Sequence, residues 1–206
     1  MAEGVPPPPT LAAVVLAAGR GARFGGAKLV ARLDGRPVIG HVISALAAAR
    51  PAGMPLADIV VVTGFHREDV SAALAGVLGR AVRLVRNPDP GRGLSSSLAV
   101  GLAALAPAVE ACFVVLGDQP RLRPATLEVL AERRADSGAP IVVPRYAGGG
   151  GPNPVLLDRR AWPLAAALEG DVGMRQVIDA HPDLVLVVDV PGSNPDVDTP
   201  EDLAAI

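Results

Sequence analysis

Lys28 is the only lysine in the chain; the other 18 of its 19 basic residues are arginine. It closes a glycine-rich stretch, LAAGRGARFGGAKL from Leu16 to Leu29, that also carries Arg20 and Arg23. Glycines at 19, 21, 25 and 26 permit tight turns and let backbone N–H groups approach a ligand closely. Exposed amides beside cations are the chemistry of polyphosphate binding. A compact ammonium on a flexible stem serves as a phosphate point charge where a planar guanidinium would not. Of two common phosphate loops, one does not fit and the other fits weakly. The pattern GxxxxGK[ST] fails because Ala27 precedes Lys28 and Leu29 follows it. The pattern GxGxxG starts with Gly19 and Gly21 but meets Phe24 at its third glycine, and the strand ending in Thr63-Gly64 lacks the acidic residue that would bind a ribose. The plainer alternative is a flexible turn with ordinary surface arginines.

Three further loops carry polar residues in chemically useful places. In RNPDPGRGLSSSLAVGL, Arg86 to Leu102, three serines crowd a helix start, where one hydroxyl is expected as a cap. The other two are free for a base, a sugar or a phosphate, or simply face solvent. In VVLGDQPRL, an apolar strand runs straight into Gly117-Asp118, where a carboxylate could hold a divalent ion against a phosphate; a turn formed with Pro120 is the structural alternative. In DVDTPEDL, Asp196, Asp198 and Asp202 surround another helix start. Asp202 suits the helix dipole, which leaves Asp198 as the better second metal ligand. His41, His66 and His181 have no metal spacing and no serine partner, and are assigned no role.

These loops need elements to hold them. Short apolar runs at Ala12–Ala18, 58–64, 81–87, 111–118, 140–146 and 184–190 predict buried parallel strands. Helices are expected at 37–50, 66–78, 95–105, 124–136, 159–168 and 172–181, and a last one starts with Thr199 as N-cap and Pro200 at N1. Alternation of this kind means an α/β domain, with ligands beyond the carboxyl ends of the strands. The chain has 206 residues, 50% of them hydrophobic and only 2% aromatic, so its core must be aliphatic. Residues 1–10 are expected to be a disordered lead and 11–206 a single domain. A net charge of -2 argues against nucleic-acid or membrane-surface partners. One cysteine excludes an internal disulfide, and no run reaches membrane-spanning length. With no basic, signal-like N-terminus, a cytoplasmic location is expected.

The order of the motifs resembles the molybdenum-cofactor nucleotidyltransferases, a branch of the sugar-nucleotide-transferase-like superfamily. LAAGRGARFGGAKL looks like that family's LAAGxSxRMGxxK signature. NPDPGRGLSSSLAVGL, LGDQP, GDVGMRQVI and VDTPEDL match its later segments in order. The LAAG form, with Ala18 before Gly19, is the one associated with cytidylyltransferases; guanylyltransferases usually show LAGG. Phe24 stands where the family has methionine, Gly21 and Ala22 where serine is common, and Gly151-Pro152-Asn153-Pro154 where many cytidylyltransferases have Gly-His-Pro.

The resemblance implies a three-layer Rossmann-like nucleotidyltransferase fold, a mostly parallel mixed sheet with helices on both faces. It implies nucleotide binding by Leu16, Ala17, Ala18, Gly19, Gly21, Arg23, Lys28, Thr63, Asn87, Gly93 and Ser97. Arg23, Lys28 and Asp118 would be catalytic, Asp118 and Asp198 would hold Mg²⁺, and Asn153, Asp171 and Arg175 would face the acceptor. The implied reaction moves CMP from CTP to the phosphate of a pterin cofactor, releasing pyrophosphate, with a transient molybdoenzyme contact. A GTP-using guanylyltransferase, another phosphorylated acceptor and a nucleotide-binding module without transfer activity stand as alternatives.

Overall fold

The computed structural model describes residues 10–76 and 81–206. The expected N-terminal lead, up to residue 9, and the last two residues of the helix expected at 66–78 lie outside the described residues.

Strand β1 (Leu11–Ala17) is buried along its whole length. Successive side chains of a strand point to opposite faces, and β1 feeds two cores in this way. Leu11, Ala13, Val15 and Ala17 join a cluster with residues of α1 (Val38–Ala48), α2 (Arg67–Leu74) and α4 (Pro124–Ser137). Ala12, Val14 and Leu16 join a second cluster with α3 (Leu94–Ala104), α5 (Trp162–Ala166) and α6 (Met174–Ala180). The expected three layers follow, with one helical layer on each face. Gly101 lets α3 press onto the sheet; a Cβ there would lie 2.3 Å from Val14 Cγ1.

The sheet has seven strands. Its order is β5 (Val82–Arg86), β4 (Ile59–Thr63), β1, β6 (Ala111–Leu116), β8 (Val155–Asp158), β7 (Ile141–Tyr146), β9 (Val185–Val190). All pairs are parallel except those of β8, which runs antiparallel to β6 and β7. Opposite Ala17 on β1 stands Thr63 on β4, Thr63 in turn faces Arg86 on β5, and Leu16 faces Leu116 on β6. The loops after these four strands therefore leave from one edge of the sheet. From β1 the chain goes outward through β4 and β5, then crosses back to β6 on the other side of β1. Loops diverge at such a reversal and leave a crevice beyond the carboxyl ends.

Two features depart from the expected pattern. Strand β8 is four residues, all buried, and follows Pro152 and Pro154, so its apolar run is too short to show a period. A hairpin of β2 (Arg32–Leu33) and β3 (Arg36–Pro37) precedes α1. Its turn sets Asp34 and Gly35 at positive φ. The last helix, α7 (Pro200–Ala205), begins as expected: the Thr199 hydroxyl accepts from the Asp202 amide, and the Asp202 carboxylate accepts from the Thr199 amide.

Candidate functional site

The crevice is a cavity of about 530 Å³. Its floor is the end of β1 and the glycine-rich loop that follows. That loop closes on itself. The Gly21 carbonyl accepts from the Phe24 amide at 3.0 Å and from the Gly26 amide at 3.3 Å. Gly21 has φ +63, and a Cβ there would lie 2.0 Å from the Gly26 carbonyl oxygen. Only glycine fits. The loop ends in a single 3-10 turn, Lys28–Val30, anchored by the buried Leu29, and this turn aims Lys28 across the crevice.

Lys28 Nζ meets two carboxylates from distant parts of the chain. It lies 2.5 Å from Asp118 Oδ2, just beyond β6, and 2.9 Å from Asp198 Oδ1, just before α7. Arg23 Nη2 takes the other oxygen of Asp198 at 2.9 Å. Lys28 is held charged: burial works against the ammonium, but Asp118 and Asp198 outweigh it and raise its pKa above the ordinary lysine value. Asp198 is positioned by the α7 cap, since its own amide donates to Asp202 Oδ2 at 3.0 Å. The Val197 amide donates to the Asp118 carbonyl at 2.9 Å, which joins the two acidic loops through their backbones.

The fourth carboxylate oxygen decides whether a metal fits. Among the described residues, buried Asp118 Oδ1 has no hydrogen-bond partner. An anionic oxygen left in that state is costly unless a cation takes it up. Two carboxylates completed by substrate phosphates and water are the usual seat of Mg²⁺. Among the described residues no group of three or more His, Cys, Asp or Glu side chains has metal-holding geometry.

The residues singled out in the sequence fall into two groups. Leu16, Ala17, Ala18, Gly19, Gly21, Arg23, Lys28, Gly93, Ser97, Asp118, Asp171 and Asp198 all line the cavity. Thr63, Asn87, Asn153 and Arg175 do not. Thr63 is fully buried and donates to the Val85 carbonyl at 3.3 Å. Asn87 donates to the Ser96 and Ser97 hydroxyls at 2.8 and 3.0 Å, tying the end of β5 to α3. The Asn153 carbonyl accepts from the Tyr146 hydroxyl at 3.0 Å; burial pushes that phenol up to about 12. Arg175 is an exposed residue of α6.

No serine hydroxyl caps α3, contrary to the sequence expectation. Gly93, with φ +93, is the N-cap residue, and a Cβ there would lie 2.4 Å from the Gly170 carbonyl. With Gly170 packed so close, the cap comes from the other chain segment. The Leu94 amide donates to Asp171 Oδ1 at 3.3 Å, and both the Ser95 amide and hydroxyl donate to the Gly170 carbonyl. Asp171 is thus part of the cavity wall and of the α3 terminus at once.

The sequence reasoning gave no role to three residues that shape the site. His66 lines the cavity, and its Nε2 donates to the Arg20 carbonyl at 2.9 Å. Phe65 lines it too, with the Arg20 guanidinium 4.2 Å from its ring centre. Buried Gln119 donates to Asp196 Oδ1 at 2.9 Å and accepts from Asn194 at 3.1 Å. Burial first, and the charges of Asp118 and Asp198 after it, raise the pKa of Asp196. Phe65 is one of only three phenylalanines in the chain, but its exposure and its neighbours are visible only in the fold.

The chain is similar to several known proteins. Residues 13–196 match the family described as MobA-like NTP transferase domain. Bifunctional protein GlmU of Sorangium cellulosum is 38% identical over 128 residues, 60% of this chain and 26% of that protein. A probable molybdenum cofactor guanylyltransferase of Thermococcus kodakarensis is 30% identical over 145 residues, 66% of this chain and 59% of that protein. The chain therefore spans less than two thirds of the length of either relative. The crystal structure of Rv0371c from Mycobacterium tuberculosis H37Rv superposes with a TM-score of 0.78 at 30% identity, covering 95% of this chain and 97% of that one. The manganese complex of Rv0371c superposes at 0.74 and 29% identity, with the same coverage.

Proposed function

The chain belongs to the MobA-like NTP transferase domain family, and from that premise we propose that it transfers a nucleoside monophosphate, CMP from CTP, to the phosphate of a molybdenum-pterin cofactor. The observation that carries this reading is the meeting of Lys28, Arg23, Asp118 and Asp198 at the end of a glycine-rich loop, inside one cavity. The CTP preference rests on Ala18 in the LAAG sequence. The acceptor rests on the order of the motifs. A GTP reading is favoured by the relatives named probable molybdenum cofactor guanylyltransferases.

In the proposed reaction an acceptor phosphate oxygen attacks the α-phosphorus in line. A P–O bond forms there as the bond to the leaving pyrophosphate breaks. A phosphate monoester is already anionic near neutral pH, so the site needs no strong base. Its task is to bring two anions together and to neutralise the leaving charge. Lys28 and Arg23 lie at the loop end where the triphosphate would enter, and each would exchange a carboxylate partner for phosphate oxygens. Backbone amides of the Gly19–Gly21 segment would line the phosphate path. Asp118 and Asp198 would hold a divalent ion, Mg²⁺ in this reading, which supplies positive charge to the phosphates when bound. A transient contact with a molybdoenzyme that takes up the product belongs to the same reading.

The direct test is pyrophosphate release from CTP or GTP with Mg²⁺ and a phosphorylated pterin acceptor. Release that needs the acceptor and is faster with CTP is the expected result. Faster release with GTP would transfer the assignment to guanylyl transfer. No release with either nucleotide would overturn the transferase reading.

A further inference from the structure

Phe65 is an exposed aromatic ring in a chain almost without aromatics. It keeps 42% of its surface exposed, whereas Phe113 is fully buried. A ring left in water forgoes hydrophobic stabilisation. It sits just after β4 and lines the cavity, as do Pro90 and Leu94. One face of the ring is covered, and the cover is Arg20, its guanidinium 4.2 Å from the ring centre. His66 fixes the backbone of Arg20 through its carbonyl. The Arg20 side chain itself makes no ion pair among the described residues. It is a cation held by a π face alone, on a fixed backbone, at the rim of a cavity built for a charged ligand.

The cavity lining includes both a charged set and an apolar set. The end of the glycine-rich loop and the two acidic loops supply Lys28, Arg23, Asp118 and Asp198. The loop after β4 and the Pro90–Leu94 segment supply Phe65, Pro90 and Leu94. A nucleoside triphosphate divides the same way, into a highly charged chain and a flat, weakly polar ring. We infer that the Phe65 ring is the stacking platform for the nucleobase, and that the Arg20 guanidinium covers it until the base takes that place. This rests on the nucleotide-binding reading above. A planar guanidinium and a planar base present comparable faces to an aromatic ring. Stacking is tolerant of base identity because every base has a π face. Phe65 therefore contributes affinity for the nucleotide and no choice between CTP and GTP.

The test is equilibrium binding of CTP, GTP and inorganic tripolyphosphate, each with Mg²⁺, to the wild type, Phe65→Leu and Phe65→Trp. Phe65→Leu keeps an apolar side chain and removes the ring. It is expected to weaken every nucleotide that the wild type binds by about tenfold, or about 1.4 kcal/mol, and to leave tripolyphosphate unchanged. Phe65→Trp is expected to bind nucleotides at least as tightly as the wild type, with its added indole fluorescence quenched by the base. In turnover, Phe65→Leu raises KM for the nucleotide and leaves kcat nearly intact. Undiminished nucleotide affinity in Phe65→Leu would overturn the inference while leaving the transferase reading in place. Equal losses for nucleotide and tripolyphosphate would also overturn it, since the ring would then act only by shaping the loop. A wild type that binds neither nucleotide would overturn both.

Discussion

Lys28 and Asp118 meet in a geometry that says more than their charges alone. Asp118 gives one oxygen to Lys28 and keeps the other buried without a partner. Asp118→Ala removes that oxygen together with the one paired to Lys28. Pyrophosphate release should fall about 10²- to 10³-fold or more, the scale seen when a preorganised charge-stabilising group is lost. Circular dichroism should show an unchanged fold, and substantial Mg²⁺-dependent turnover in this variant would contradict the assignment. Lys28→Arg keeps the charge and changes its shape. The seat between Asp118 Oδ2 and Asp198 Oδ1 is set for a point donor 2.5 and 2.9 Å away, and a broad guanidinium cannot take it in the same way. Its kcat/KM should fall about tenfold, equivalent to ~1.4 kcal/mol in the barrier, and steady-state kinetics at saturating acceptor would show it. The lone lysine was legible in the sequence as an anomaly of composition. Phe65 and His66 were not, because nothing local says that a residue after β4 will face one after β1.

At the scale of elements, β8 shows how much rests on one carboxylate. Asp158 ends β8 and is only 6% exposed. Its Oδ2 accepts from Arg134 of α4 at 2.6 Å, and its Oδ1 from the Arg160 side chain at 2.9 Å. Burial works against its ionised form, but the hydrogen bonds from Arg160 and Arg134 prevail and hold its pKa below the ordinary aspartate value. A depressed carboxylate stabilises the fold above the pKa it has when unfolded. That stabilisation is lost as pH falls through the lower, folded value. The wild type should therefore lose stability below about pH 4, starting near the unfolded aspartate pKa. Asp158→Asn should be less stable at pH 7, by about 3 kcal/mol as for a broken buried ion pair, and should lose less on acidification. Denaturant melts at pH 7 and pH 3 would measure both. A variant with the wild-type pH dependence would remove Asp158 from this role. Most of the other strands and helices followed their local signals, the β2–β3 hairpin apart. The wholly apolar β1 declared itself a buried strand, and Thr199-Pro200-Glu201-Asp202 declared a helix start. β8 did not, because four residues between a proline and an arginine pair carry no period. Nor could the serines of α3 reveal that Asp171 and Gly170 would serve its terminus.

For the whole molecule, the reversal of strand order at β1 is the deciding feature. It gathers the loops after β1, β4, β5 and β6 at one edge, and it makes one cavity from segments spread over the chain. A ligand that bridges those loops stabilises the folded state as a unit, by about 2.7 kcal/mol at a hundredfold excess over its dissociation constant. Thermal melts with CTP, GTP, ATP and UTP, with and without Mg²⁺, should show a Mg²⁺-dependent rise with CTP above the others. A rise largest with GTP would favour the guanylyl reading, and no rise with any nucleotide would contradict nucleotide binding by the free protein. Among the described residues, no helix is long and apolar enough to cross a membrane.

What the sequence determined by itself was local. Continuous apolar runs made the buried strands, and side-chain period made most helices. Glycine at Gly21 made a turn that no other residue fits, and the order of motifs pointed to one family. What only the tertiary structure decided was pairing across distance. Lys28 and Asp198 are 170 residues apart in the chain and 2.9 Å apart in space. Arg20 lies on Phe65 because two strand ends stand side by side in register. Thr63 and Asn87 turn inward to hydrogen-bond the scaffold, while Asp171 reaches across to cap α3. Such contacts depend on the strand order and on helix packing against both faces of the sheet. Those are set by the summed burial of two cores, which no short stretch of sequence records.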